Sequence, residues 1–274
     1  MKNLSSLKTV YIGAGNMAEA LVGGMVREGL CKADQITVTD VLQERLDLFA
    51  SKFGVRTSLD NALIAEADIA VLAVKPQMFG EVLACLKTSV KIRQTLLISI
   101  AAGISTASIE SALGKGARVV RVMPNTPALA GKGAAAICAG KYAEEDDLEI
   151  AEILLGAVGA VSRVGEDDMD AVTAVSGSGP AYVFYLIEAM QEAAKQMGLA
   201  PDIARDLILA TVEGSAALCR ETGLPADELR RRVTSKGGTT AAALEVLEQR
   251  KVFSALLDAM TAARNRAREL SVPS

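Results

Sequence analysis

Thr9-Val10-Tyr11-Ile12-Gly13-Ala14-Gly15-Asn16-Met17-Ala18 decides the fold of this chain. Its first four residues form a short apolar, β-branched run. The stretch beyond it, through Ala20, Leu21, Met25 and Val26, repeats at helical spacing, so strand, glycine-rich turn and helix follow in order. In a Gly-x-Gly-x-x-Ala pattern the first glycine permits the tight turn and the second lets the backbone approach a pyrophosphate. The small third residue lets the helix pack closely on the strand. Such a pattern alone is common. Here it opens an alternating series whose second strand, Gln35-Ile36-Thr37-Val38-Thr39, ends in Asp40, the place for an acid that holds a ribose diol.

Working outward, strands are expected at 8–13, 35–40, 69–74, 95–100, 117–122, 133–138 and 161–165. Helices are expected between them at 16–29, 41–53, 59–66, 77–87, 105–113 and 144–157. This is the pattern of an α/β protein with a Rossmann-like, mostly parallel, doubly wound sheet. After Glu166 the β-type runs stop and Ala-rich helical periodicity takes over, at 167–175, 179–197, 201–222, 225–232, 239–250 and 252–270. Pro180, Pro201 and Pro225 fall where a first helical turn tolerates proline, and Gly198 and Gly223 where a helix ends on glycine. The reading is therefore two domains, a dinucleotide-binding domain at 1–164 and an all-α domain at 165–274.

Composition removes several function classes. A net charge of −4, 3% aromatic residues and no tryptophan argue against nucleic acid as a partner. No apolar run is long enough to span a bilayer, and the chain enters its first strand without a signal-type segment, which implies the cytoplasm. Cys31, Cys85, Cys138 and Cys219 lie far apart with no Cys-x-x-Cys, so neither a disulfide frame nor a metal site is expected. The chain has no histidine. Oxidation of alcohols usually employs a histidine base, whereas an imine can arrive protonated and then requires only a hydride and a shaped pocket, so the absence favours C=N chemistry.

A second motif lies between two C-terminal helices: Val233-Thr234-Ser235-Lys236-Gly237-Gly238-Thr239-Thr240. Two glycines leave amides unshielded, four hydroxyls surround them, and the following helix points its positive end at the loop. A plain turn uses the same residue types, but this density of hydroxyls shifts the balance toward a small-anion, carboxylate site. Further loops fall at strand ends, where open α/β sheets bind ligands: Ala73-Val74-Lys75-Pro76 and Ala101-Ala102-Gly103. Lys75-Pro76 fits a turn or a loop against a nicotinamide ribose equally well. Asn125, between Pro124 and Pro127, belongs either to a rigid surface loop or to a rim whose amide orients a ring or a water.

Those motifs, with Arg121-Val122-Met123-Pro124-Asn125-Thr126-Pro127 and Ser176-Gly177-Ser178-Gly179-Pro180-Ala181-Tyr182, give the chain its resemblance to the Δ1-pyrroline-5-carboxylate reductase family, from about Lys8 to about Leu270. The resemblance implies hydride transfer from NADPH or NADH to the C=N carbon of L-1-pyrroline-5-carboxylate, giving L-proline. It places the cofactor on Ile12, Gly13, Ala14, Gly15, Asn16 and Met17, on Ala73 to Pro76, on Ala101 to Gly103, and on Asn61. Its substrate loop maps onto Ser235, Gly237, Gly238, Thr239 and Thr240, with Thr240 facing the ring nitrogen. Glu166 and Glu221 match acidic residues near the family's proline site, although either alone reads as a solvated helix residue. Ser176 to Pro180 match a tight helix entry under the nicotinamide.

The chain departs from the family at Asp40, where NADP-using members often carry a hydroxyl. A carboxylate there accepts from a ribose diol and repels a 2′-phosphate, with Arg45 as a candidate to offset the repulsion. A β-hydroxyacid dehydrogenase relative would place a lysine in Ala181 to Ile187, and none is present. A nucleotide-sensing regulator would leave the Ser235 to Thr240 loop without a purpose. Apolar residues on several faces of 181–190 and 207–218 imply at least a homodimer through the C-terminal helices, and the resemblance implies a higher assembly of dimers.

Overall fold

The computed structural model describes residues 4–271, apart from 90 and 92. It resolves into two compact units, one running to Ser178 and taking in the chain again from Ala263, the other Gly179–Ala262. The expected division at 164 follows the loss of strand periodicity, whereas the compact units part fourteen residues later, at 178, because the first turns after the sheet pack with it.

The first unit is an eight-stranded sheet of order β3-β2-β1-β4-β5-β6-β7-β8. Its strands are β1 (Thr9–Ile12), β2 (Ile36–Thr39), β3 (Arg56–Ser58), β4 (Ile69–Leu72), β5 (Leu96–Ser99), β6 (Arg118–Met123), β7 (Gly133–Ala139) and β8 (Gly159–Arg163). All neighbours are parallel except β6 and β7. Helices α1 (Asn16–Arg27), α2 (Gln43–Phe53), α3 (Phe79–Ser89), α4 (Thr106–Leu113) and α5 (Glu145–Gly156) alternate with the strands. The central strands are buried on both faces. Tyr11, Val38, Val71, Ile98 and Val120 pack in one core with residues of α1, α2 and α5; Val10, Ile12, Ala70, Leu72, Leu97 and Val119 pack in the other with α3 and α4. That two-sided burial is why these strands read as continuous apolar runs.

Three elements depart from the sequence reading. β3 carries only Arg-Thr-Ser at a sheet edge, with no apolar run to announce it. The stretch expected as a helix at 59–66 is a 3-10 turn, Asn61–Glu66, opened by the Asp60 side chain accepting from the Ala62 amide. The last strand begins at Gly159, two residues early; β7 and β8 approach so closely there that a Cβ would collide with the Gly133 carbonyl, so a glycine stands where a strand residue would have given an apolar signal. Beyond β8, α6 (Met169–Val172) runs into one π-helical turn, Thr173–Gly177.

The second unit is helical: α7 (Gly179–Gln196), α8 (Pro201–Thr222), α9 (Ala226–Arg232), α10 (Thr239–Gln249) and the first part of α11 (Val252–Ser271). Its own apolar cluster contains only Ala194, Ala204 and Ile208 as buried residues. Among the described residues no helix is long and apolar enough to cross a membrane, and no group of His, Cys, Asp and Glu could hold a metal ion. All four cysteines are unpaired.

Candidate active site

The two glycines of the β1–α1 turn differ in what requires them. Gly13 has φ +104°, and a Cβ on it would lie 2.6 Å from the Ala73 carbonyl oxygen and 3.1 Å from Val74 Cγ1, so the protein's own backbone requires glycine. Gly15 has φ −75°, ordinary for any residue, and a Cβ there would meet nothing within 4 Å. Nothing in the chain itself explains Gly15. The space beside it is open, at the N-terminus of α1, which has no side-chain cap. Ala14 and Ala18 are fully buried, as the close helix–strand packing of this motif requires.

Asp40 closes β2 and reaches back to the same turn. One carboxylate oxygen accepts from the Ala14 amide (2.7 Å) and the other from the Leu42 amide (2.9 Å). Arg45 binds the other side of that residue, its Nε donating to the Ala14 carbonyl oxygen (2.7 Å), while its Nη2 pairs with Glu19 (2.8 Å). Glu19 also accepts from Lys52 (2.9 Å). The Lys52 hydrogen bond leads in holding the Glu19 carboxyl below the usual range, outweighing partial burial, with Arg45 adding to it. Arg45 is thus committed to the turn and to Glu19. Asn61 accepts from the Thr39 hydroxyl (2.6 Å) at the end of β2, beside the same edge.

Along the carboxyl edge of the sheet, Lys75 is exposed and precedes Pro76, which opens the 3-10 turn into α3. Ala101 is buried, Ala102 exposed, and Gly103 adopts φ +76°. The Asn125 amide is spent on the protein: Nδ2 donates to the Ser176 carbonyl oxygen (3.0 Å) and Oδ1 accepts from the Ala134 amide (2.8 Å). Ser176 donates its hydroxyl to the Val172 carbonyl oxygen (3.1 Å) inside the π turn. Asn125 therefore anchors the β6–β7 loop to that turn.

Glu166 is likewise engaged within the first unit. Its carboxylate pairs with buried Arg121 (2.6 Å), accepts from the Thr106 hydroxyl (2.7 Å) at the start of α4, and accepts from Cys138 Sγ (3.5 Å). Partial burial pushes its carboxyl up, but the Thr106 bond and the Arg121 guanidinium more than offset this and hold it below the usual range. Burial first, then the neighbouring Glu166 charge, pushes the Cys138 thiol up to about 12. Nothing in the sequence pairs Arg121 or Thr106 with Glu166. Their partner lies 45 and 60 residues away, beyond any local spacing signal.

In the second unit, Glu221 is exposed on α8. The Ser235 to Thr240 segment forms a closed turn: the Gly238 amide donates to the Ser235 carbonyl oxygen (3.0 Å), and Gly237 takes φ +73°. A Cβ on Gly238 would lie 2.5 Å from Ser235 Oγ, so glycine lets the serine hydroxyl fold against the turn. Gly238 is also the cap of α10, with no side-chain cap bond. The Ala242 amide makes the bond to Gly238 O, which leaves the amides of Thr239, Thr240 and Ala241 ahead of the helical ladder. Ser235, Lys236, Gly237 and Thr239 are exposed, and Gly238 and Thr240 half-buried. That is the composition and geometry of an anion-binding turn.

Fold and turn together define a class, a dinucleotide-binding protein with a Rossmann-like unit and an appended helical unit. Residues 8–103 match a family model described as NADP oxidoreductase, coenzyme F420-dependent, and residues 166–270 one described as pyrroline-5-carboxylate reductase dimerisation. A pyrroline-5-carboxylate reductase of Methanosarcina acetivorans is 41% identical over 268 residues, covering 97% of this chain and 99% of that protein. A solved pyrroline-5-carboxylate reductase from Coxiella burnetii superposes with TM-score 0.91 at 42% identity, covering 98% of this chain and all of that one. A Plasmodium falciparum pyrroline carboxylate reductase with NADP bound gives TM-score 0.89 at 29% identity, over 98% of this chain and 100% of that one. The chain belongs to the pyrroline-5-carboxylate reductase family.

Proposed function

We propose that this chain reduces the C=N bond of L-1-pyrroline-5-carboxylate to L-proline in the cytoplasm, the final step of proline biosynthesis, with NADPH or NADH as reductant. A reduced nicotinamide, when bound, supplies the hydride. Residues 1–164 hold the dinucleotide through the Gly13 to Met17 turn, Ala73 to Pro76 and Ala101 to Gly103, and residues 165–274 supply the substrate loop and the dimer surface. The amides of Thr239, Thr240 and Ala241 take the substrate carboxylate at the α10 N-terminus. The Thr240 hydroxyl meets the ring nitrogen, donating to the imine or accepting from the iminium and amine, a dual capacity that only a hydroxyl among the nearby groups has. With no histidine in the chain, the iminium form brings its own proton. Asn125 and Glu166 serve by fixing the loops behind the cofactor edge rather than by reaching a ligand.

The observation that carries this reading is the pair of open backbone cradles on one chain, the space beside Gly15 and the uncapped turn at Gly238. The experiment is the fall of nicotinamide absorbance when the protein meets NADH or NADPH together with pyrroline-5-carboxylate. No oxidation of either cofactor would end the proposal.

We also propose a homodimer through the helical unit, with dimers assembling further. Tyr185 and Phe253 are 76% and 73% exposed on a unit with few buried apolar residues of its own, so a partner surface is what would cover them. Light scattering should show at least a dimer, and Tyr185→Glu with Phe253→Glu should shift it toward monomer. A stable, active monomer at micromolar concentration would refute it.

A further inference from the structure

The polar network around the β1–α1 turn bears on which dinucleotide this chain takes. In folds of this kind the acid closing the second strand meets the adenosine ribose, and a nearby arginine is what accommodates a 2′-phosphate. Asp40 and Arg45 hold opposite sides of the same residue, the Ala14 amide and the Ala14 carbonyl oxygen. Arg45 is therefore the arginine closest in role to a 2′-phosphate, and it is already paired. Its Nη2 lies 2.8 Å from Glu19 Oε2, with side-chain exposures of 24% and 16%, and the other Glu19 oxygen takes Lys52 at 2.9 Å. The charges of Asp40, Glu19, Arg45 and Lys52 sum to zero. Glu44 and Asp47 on α2 add only negative charge, and the loop beyond Asp40 presents Val41 and Leu42, both exposed apolar residues. A phosphate dianion placed there would meet one carboxylate directly and two cations already neutralised by another.

We propose that Glu19 is a selectivity determinant: by holding Arg45 and Lys52, and together with Asp40, it directs this chain to a dinucleotide whose adenosine ribose carries a free 2′-hydroxyl, that is, NADH over NADPH. The role is one of positioning, exerted through Arg45. The inference rests on the reading of the chain as a dinucleotide-dependent reductase and names the reductant within it.

The test is binding of two cofactor fragments, 5′-AMP and 2′,5′-ADP, to the full-length protein by calorimetry at fixed ionic strength. The parent should bind 2′,5′-ADP no more tightly than 5′-AMP, and Glu19→Gln, with Arg45 and Lys52 released, should lower the Kd for 2′,5′-ADP by about tenfold relative to that for 5′-AMP. Adding Arg45→Ala to Glu19→Gln should abolish most of that gain. A parent that already prefers 2′,5′-ADP by tenfold overturns the inference without any variant, so a misfolded Glu19→Gln leaves it decidable. An unchanged ratio in folded Glu19→Gln, or a gain that survives loss of Arg45, overturns it too. Steady-state oxidation of NADH and NADPH with substrate separates the two readings: if fragments bind in the expected order but neither cofactor is oxidised, the functional reading fails and the selectivity stands.

Discussion

The two units handle their apolar and polar groups in opposite ways. In the first, the central strands are buried on both faces, and polar side chains are spent on the protein's own groups: Asp40 on the Ala14 and Leu42 amides, Arg45 on Glu19, Asn125 on the Ser176 carbonyl and the Ala134 amide. In the second, three residues form the buried cluster, large apolar side chains stand exposed, and no hydrogen bond occupies the Thr240 hydroxyl among the described residues. A site built the first way is preorganised, and damage to it registers as lost stability. A site built the second way leaves its groups for ligand and partner, so damage registers in function or assembly while the fold survives.

The sharpest test of that contrast lies within one turn. Gly13→Ala forces an alanine to φ +104° and drives its Cβ against the Ala73 carbonyl. Strain of this kind costs about 1–3 kcal/mol and the backbone clash adds to it, so the thermal midpoint should fall by roughly 6–12 °C for about 3 kcal/mol. Gly15→Ala meets no atom and needs no unusual φ, so its midpoint should stay within about 3 °C of the parent while NADH affinity drops by at least about tenfold. If Gly15→Ala is the destabilised variant, or binds NADH like the parent, the space beside Gly15 is not a ligand's.

Next in size is Thr240, on the side of the comparison where groups are left for ligands. Thr240→Ala removes one hydrogen bond to the ring nitrogen, worth roughly 1–3 kcal/mol, and should lower kcat/KM by about tenfold to a hundredfold, while Thr240→Ser stays near the parent. Because Gly238 and not Thr240 caps α10, the midpoint should hardly move in either variant. Equal kcat/KM for parent and Thr240→Ala, or an equal loss in both variants with the fold intact, would remove Thr240 from the ring nitrogen.

What the sequence made legible follows the same division. The strand–turn–helix at Thr9 to Ala18, the mostly parallel, doubly wound sheet implied by alternation, and the change to helices after the sheet rest on local patterns, and they stand as expected. β3 was invisible because a three-residue polar edge strand has no apolar signal, and Asn61–Glu66, a 3-10 turn capped by Asp60, carries the same residue types as a short helix. The clamps were also invisible: Asp40 to Ala14 and Glu166 to Arg121 span 26 and 45 residues, and no spacing rule pairs them. The Ser235 to Thr240 motif, by contrast, is a contiguous run, so its glycines and hydroxyls could be read as one turn without any distant partner.

The smallest expected effect concerns Glu166, where the first unit's tendency to spend its polar groups internally can be read against pH. Glu166→Gln keeps the side chain's shape and an acceptor for Thr106, but removes the charge facing buried Arg121. Because the Glu166 side chain retains about a third of its exposure, solvent screens part of the pairing, and the loss at neutral pH should be about 1–2 kcal/mol, a midpoint lower by roughly 2–8 °C. The folded carboxyl lies below the usual range, so its contribution is complete above the unfolded value of about 4.3 and is lost as pH falls through the folded value. The gap between parent and variant midpoints should accordingly stay constant from pH 7 to about 5 and close as the pH is lowered further. A gap that persists unchanged to pH 3 would mean that the ionised carboxyl of Glu166 is not what separates the two proteins. One that widens on acidification would reverse the sign and show that burial, not Thr106 and Arg121, governs its ionisation.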